Sequence, residues 1–140
     1  MTAGIQKIRK EDKEKYLVFL KRSKELYEMA GIANETQRWG ALGVNAVGAA
    51  ISMGDALTVY YLLQRSIADD HRFSADLLSE IVLDDIKEQV SNYRRIIAKK
   101  YAVSYENRDF RQKEALEVLK QVERFYNWGL GKLSEDKEGL

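Results

Sequence analysis

Trp39-Gly-Ala-Leu-Gly-Val-Asn-Ala-Val-Gly-Ala-Ala-Ile-Ser-Met-Gly-Asp-Ala-Leu-Thr-Val-Tyr-Tyr-Leu62 decides the fold. Between Arg38 and Arg65 the only formal charge is Asp55. At about 1.5 Å per residue, a helix of this length could cross a bilayer. Its composition argues otherwise. It is rich in Gly and Ala (Gly40, Ala41, Gly43, Ala46, Gly48, Ala49, Ala50, Gly54) and includes Asn45, Ser52 and Asp55. A lone membrane span does not usually combine weak helix formers with a mid-segment acid. The surrounding sequence reads as a central helix from about Glu35 to Gln64, buried on most sides, whose small residues let other helices come close. Trp39, Val44, Val47, Ile51, Leu57 and Tyr61 fill the remaining volume.

Working outward, residues 10–30 place Tyr16, Phe19, Leu20, Tyr27 and Ala30 at helical spacing, with Gly31 as a stop. Asn34 with Gln37 reads as a capping box opening the central helix. Beyond it, Asp69 and Asp70 mark a break. Ser74 caps a short third helix holding Leu77, Leu78, Ile81 and Val82. A fourth runs from Asp84 to Lys100 with Ile86, Val90, Tyr93 and Ile97 inward. Asn107 to Asp109 is a loop, and Asp109 with Gln112 repeats the box. A fifth helix carries Ala115, Leu119, Val122, Phe125, Tyr126 and Trp128 and ends near Gly129, leaving 131–140 as a frayed tail. No alternation suggests strands. The reading is a single all-α domain over 1–140, an antiparallel up-and-down bundle of four to five helices.

Composition narrows the chemistry. The 140 residues carry 23 Lys plus Arg against 22 Asp plus Glu, so bulk charge excludes a strongly basic nucleic-acid protein and leaves only local patches. There is no cysteine, so disulfides, thiolate zinc sites and Cys nucleophiles are excluded. His71 is the single histidine, which excludes a two-His metal site within the chain. No cofactor is expected. Met1 to Lys10 lacks an apolar core of signal-peptide type, so a cytoplasmic protein without a membrane partner is expected. The absence of proline favours long helices.

Two stretches resemble the HEPN superfamily, small helical domains of prokaryotic toxin–antitoxin and nucleotidyltransferase-associated proteins. Asn45-Ala-Val-Gly-Ala-Ala-Ile-Ser-Met-Gly-Asp-Ala-Leu-Thr58, followed by Asp70-His71, is similar to the family's small-residue helix and its later Asp-His. Lys100-Tyr-Ala-Val-Ser-Tyr-Glu106, then Glu114-Ala115 to Trp128, is similar to its closing segments. The resemblance covers residues 39–133. It implies a helical bundle, a homodimer, and RNA or nucleotide as ligand, in a toxin–antitoxin or defence module. A non-catalytic module partnering a nucleotidyltransferase is an alternative. The family's ribonucleases usually carry an Arg and, a turn or so later, a His near the chain's end. This chain has Arg94, Arg95 and Tyr101 there and no His.

Three groups of residues are candidates for chemistry. Arg65, Asp70 and His71 could cut RNA without metal: His as base for the 2′-hydroxyl, Arg for the phosphate, Asp70 to orient the imidazole. The alternative is a helix connection in which Asp69 or Asp70 caps and His71 packs. From Lys87 to Lys113, eight Lys or Arg face three acids, a local net of +5. Arg94, Arg95, Lys99, Lys100 and Tyr101 lie at its centre; charge interleaved with Tyr93, Tyr101 and Tyr105 suits single-stranded RNA. The structural alternative is complementarity to the helix dipole, acids opening the helix and bases closing it. Asp69, Asp70, Asp76, Glu80, Asp84 and Asp85 form an acidic run in which a hard cation could use two carboxylates, although no calcium-loop motif is present and no metal is assigned. Asp55 in its apolar helix must be paired or hydrogen-bonded, through Arg38, Arg65 or a tyrosine.

Overall fold

The central helix exists because its small residues let neighbours approach its backbone. The structure, a computed structural model, describes residues 7–106 and 109–138. Among these, five α-helices form an all-α bundle: α1 (Tyr16–Glu35), α2 (Trp39–Leu62), α3 (Arg72–Leu78), α4 (Ile86–Tyr105) and α5 (Gln112–Glu138). α2 is long and apolar enough to cross a membrane, and most of it is buried inside the protein. It packs on all four other helices.

Close contacts fix the directions. Ser23 of α1 donates to the Ala49 carbonyl of α2 at 2.6 Å, and Tyr16 meets Tyr60 edge-on, so α1 and α2 are antiparallel. The Tyr93 hydroxyl end rests on Gly54 while Val103 approaches Gly43, so α4 also runs against α2. Asn92 donates to the Gln121 carbonyl at 2.9 Å and Trp128 donates to Asp85 at 2.8 Å, which sets α5 against α4. Tyr27 stacks on Tyr126, centroids 3.9 Å apart, and joins α1 to α5. The up-and-down bundle is therefore α1, α2, α4 and α5, with α3 a short packed connector. Its core is Leu42, Ala46, Ala50, Met53 and Leu57 of α2 against Phe19, Leu78, Tyr93, Ile96, Val122 and Phe125.

Several local expectations are overturned. α1 does not stop at Gly31. That glycine faces open space, and its cost of about 1 kcal/mol is outweighed by the packing of Ala30 and Ala33 around it. Asn34 does not cap α2; it lies in α1. Gln37 takes the left-handed conformation (φ 57°), and the N–H groups of Gln37 and Arg38 donate to the carbonyls of Asn34 and Ala33. This is a Schellman ending with glutamine where glycine is usual. Ser74 lies within α3, its hydroxyl 2.8 Å from that of Tyr93, instead of capping it. Val82 lies outside α3, 95% exposed. α5 begins at Gln112, and the Arg111 N–H donates to Glu114 Oε1 at 3.4 Å. α5 runs through Gly129 and Gly131 to Glu138, so the tail expected at 131 is helical to that point. Asn107 and Arg108 of the expected loop, and 139–140 of the tail, lie outside the described residues.

Two short strands appear where none was expected. β1 (Ile8–Lys10) pairs antiparallel with β2 (Gln64–Ser66), Arg9 opposite Arg65. They are too short and too polar to leave a periodic signal, and the pairing is entirely tertiary. It ties the start of the described chain to the connector that holds His71.

Candidate functional site

The connector between β2 and α3 carries the first candidate group, and each member has its own partner. Arg65 leaves β2 towards α1: its Nε donates to Glu11 Oε2 at 3.2 Å, and its guanidinium lies 4.9 Å from the Phe19 ring centroid. Asp70 turns to Arg72, accepting from Nε at 2.9 Å and from the Arg72 backbone N–H at 3.0 Å. The Arg72 fork holds its carboxyl down at about 2. Asp70 therefore caps and clamps the first turn of α3, which is the capping alternative to the imidazole-orienting role. His71 is half-buried, and its carbonyl accepts the N–H groups of Ser74 and Ala75. Burial depresses its pKa, the Lys100 ammonium depresses it further, and Asp70 and Asp69 pull the other way. The imidazole is thus neutral at pH 7. The cation whose field reaches it is Lys100; Arg65 is held by Glu11.

The second group divides around α4. Arg94 is paired with Asp76 of α3 at 2.8 Å. Arg95 and Lys99 are a turn apart and have no ion pair among the described residues. Lys100, five residues after Arg95, lies about 140° round the helix from it, on the side towards His71. Tyr101 and Tyr105 stand out from α4, 66% and 65% exposed, their rings 5.6 Å apart. The helix continues to Tyr105, so none of these cations is in its last turn. The dipole explanation weakens accordingly, because that effect fades within one turn of the terminus.

No protein-family model, characterised protein or solved structure matches this chain. Function has to be read from the side chains themselves.

The acidic run is dispersed. α3 ends at Leu78, so Asp76, Glu80 and Asp84 share no continuous helical face. Asp76 is held by Arg94, and Asp85 accepts the Trp128 indole N–H. Asp55 is pushed up to about 7 by burial, with Arg65 and Arg22 pulling it partly back. The Arg65 charge reaches it through space only: among the described residues Arg65 is paired with Glu11, and no ion pair joins it to Asp55.

One arrangement was missed. A groove of about 270 Å³ opens between α4 and α5, lined by Glu88, Gln89, Ser91, Asn92, Arg95 and Arg124. Arg124 joins Arg95 there, also without an ion pair among the described residues. Gln89 and Asn92 are more than nine-tenths buried, and each carries a side-chain oxygen with no hydrogen-bond partner among the described residues. The available signal was a pair of amides three apart, beside Val90 and Tyr93 on the inward side of α4. By contrast, the α3–α4 side has grooves of about 350 and 210 Å³, on either side of Arg94, with more apolar walls that include Ile86, Val90 and Ile97.

Proposed function

We propose that this chain is a HEPN-type helical protein that binds RNA or a nucleotide through α4, as part of a toxin–antitoxin or defence module in the cytoplasm. The observation that carries the reading is the pair Arg95 and Lys99, mid-helix, exposed or half-exposed and without an acidic partner among the described residues. Among the described residues no carboxylate pairs with either charge, whereas neighbouring Arg94 is committed to Asp76. Exposed Tyr101 and Tyr105 add aromatic faces on which bases can stack. The bundle supplies a rigid rod for this surface, since α4 is fixed on three sides by α2, α3 and α5. The same reading includes a homodimer. The apolar side chains left exposed on α1 and α2, among them Val18, Met29, Ile32 and Val44, support it.

The test is fluorescence anisotropy of a mixed-sequence single-stranded RNA labelled at its 3′ end. Arg95→Glu with Lys99→Glu should abolish binding while circular dichroism stays unchanged. Unchanged affinity in that variant would remove α4 from the reading. Light scattering checks the dimer through the mass in solution.

A further inference from the structure

The α4–α5 groove differs in chemical character from the apolar grooves on the α3–α4 side. All six side chains that line it are polar: Glu88, Gln89, Ser91, Asn92 and Arg95 from α4 and Arg124 from α5. At about 270 Å³ the groove is smaller than the roughly 300–1,000 Å³ usual for small-molecule sites, so it suits one compact polar group. Arg95 and Arg124 line the same small space, so one guest can meet both. Arg forks match phosphate oxygens geometrically, and the Ser91 hydroxyl adds a further donor.

We propose that this groove seats the phosphomonoester of a nucleotide unit, either the 5′-terminal phosphate of an RNA strand or that of a free mononucleotide. The inference rests on the RNA- or nucleotide-binding reading and specifies it. A monoester carries about −1.5 to −2 charge and three terminal oxygens at pH 7. A phosphodiester within a chain carries one charge and two free oxygens. Two guanidiniums in one groove therefore favour the terminus over the interior of a strand.

The amides extend the argument to what the phosphate is attached to. Asn92 spends its amide N–H on the Gln121 carbonyl at 2.9 Å, which fixes its Oδ1 as an acceptor. That oxygen and Gln89 Oε1 both lack donors among the described residues. Buried acceptors without donors destabilise a fold. Both oxygens are sealed from solvent in this conformation; a small turn of the Gln89 and Asn92 side chains into the groove they line would let them accept from ribose hydroxyls or base N–H groups, donors that inorganic phosphate lacks. Glu88, on the same wall, is a third acceptor: its carboxylate offsets part of the attraction of the two guanidiniums for phosphate and suits a ribose hydroxyl.

The experiment compares two 3′-fluorescein RNAs of one sequence, differing only in a 5′-phosphate or 5′-hydroxyl, by anisotropy. The phosphorylated strand should bind the wild type about tenfold more tightly, as expected for one charge-assisted bidentate contact. Arg124→Ala should erase that preference without weakening the 5′-hydroxyl strand, and Arg124→Lys should restore part of it. Thermal melts confirm that both variants fold. Equal affinity for the two strands, untouched by Arg124→Ala, overturns the groove assignment and leaves RNA binding through Lys99 and the tyrosines standing. If neither strand binds, the RNA reading fails, and calorimetry with 5′-AMP decides the groove. Saturable binding lost in Arg124→Ala upholds it as a mononucleotide seat, and no binding overturns it.

Discussion

Tyr93 in α4 rests its phenol on the backbone of Gly54 in α2, where an added methyl would sit 2.6 Å from the hydroxyl oxygen. The same hydroxyl is 2.8 Å from that of Ser74, so one tyrosine locks α2, α3 and α4 together. Gly54→Ala should lower the unfolding free energy by about 1–2 kcal/mol, overpacking strain exceeding the gain in helix propensity. Tyr93→Phe should cost about 1–2 kcal/mol by leaving Ser74 buried without a partner. The double variant should recover only part of the strain, because ring carbons remain 2.9 and 3.0 Å from the new methyl. Urea denaturation of the four proteins reads the coupling; simple additivity would contradict the contact.

Asp55 makes stability depend on pH. Burial raises its folded pKa to about 7, against the Arg22 and Arg65 charges, with the Tyr93 hydroxyl within its field. Between about pH 4 and 7 the native state keeps a proton that the unfolded chain has released, so stability falls as pH rises through that window and levels off above it. The full drop is up to about 4 kcal/mol. Asp55→Asn should abolish this component and leave the variant more stable than wild type at pH 8. Urea midpoints of both proteins from pH 4 to 8 test it; parallel curves would refute it.

Gln37 ends α1 in the left-handed region and is exposed. Glycine accepts that conformation without the Cβ clash, so Gln37→Gly should stabilise by about 0.5–1 kcal/mol. Gln37→Ala should not. A pair of thermal melts separates them.

Salt dependence distinguishes free cations from committed ones. Each phosphate contact on single-stranded RNA contributes about 0.7 to the slope of log Kobs against log salt. Arg95→Ala with Lys99→Ala should therefore reduce the slope by about 1.4. Arg94→Ala should leave it nearly unchanged, because Asp76 holds that guanidinium. Binding isotherms at four salt concentrations suffice.

No cleavage of a mixed single-stranded RNA pool in EDTA is expected, for wild type or His71→Ala. Glu11 holds Arg65 and Arg72 holds Asp70, so His71 lacks the two helpers a ribonuclease site would give it. Cleavage abolished by both His71→Ala and Lys100→Ala would instead establish a site built from the neutral imidazole and its neighbouring ammonium.

The bundle was legible because one segment could only be a crowded central helix. Ala46, Ala49, Ala50 and Gly54 leave room for neighbours, and apolar residues at helical spacing on either side supply them. Helix ends were less legible. Gly31 and Asn34 carry ordinary stop and start preferences worth about a kilocalorie each, and packing of Ala30 and Ala33 overrode them. The candidate site was half legible. Arg95 and Lys99 declared themselves by spacing, but the pairing of Arg94 with Asp76 or Arg65 with Glu11 depends on distances across the fold. Arg124 was hidden for the same reason: on α5 it is one charge among many, and only the antiparallel register of α4 and α5 brings it beside Arg95.

The strand pair at residues 8–10 and 64–66 has a kinetic meaning. Glu11, just after β1, and Arg65, in the middle of β2, are 54 residues apart in sequence and enclose the whole α1–α2 hairpin. Closing so long a loop costs entropy that few contacts offset, so this clasp sets after the hairpin and lets go before it. Lys7 also caps the Phe73 ring at 3.9 Å and receives the Ile67 N–H, so the clasp grips both ends of the His71 connector. Amide exchange at Arg9 and Arg65 should therefore report a local opening that frees His71 while α2 stays protected.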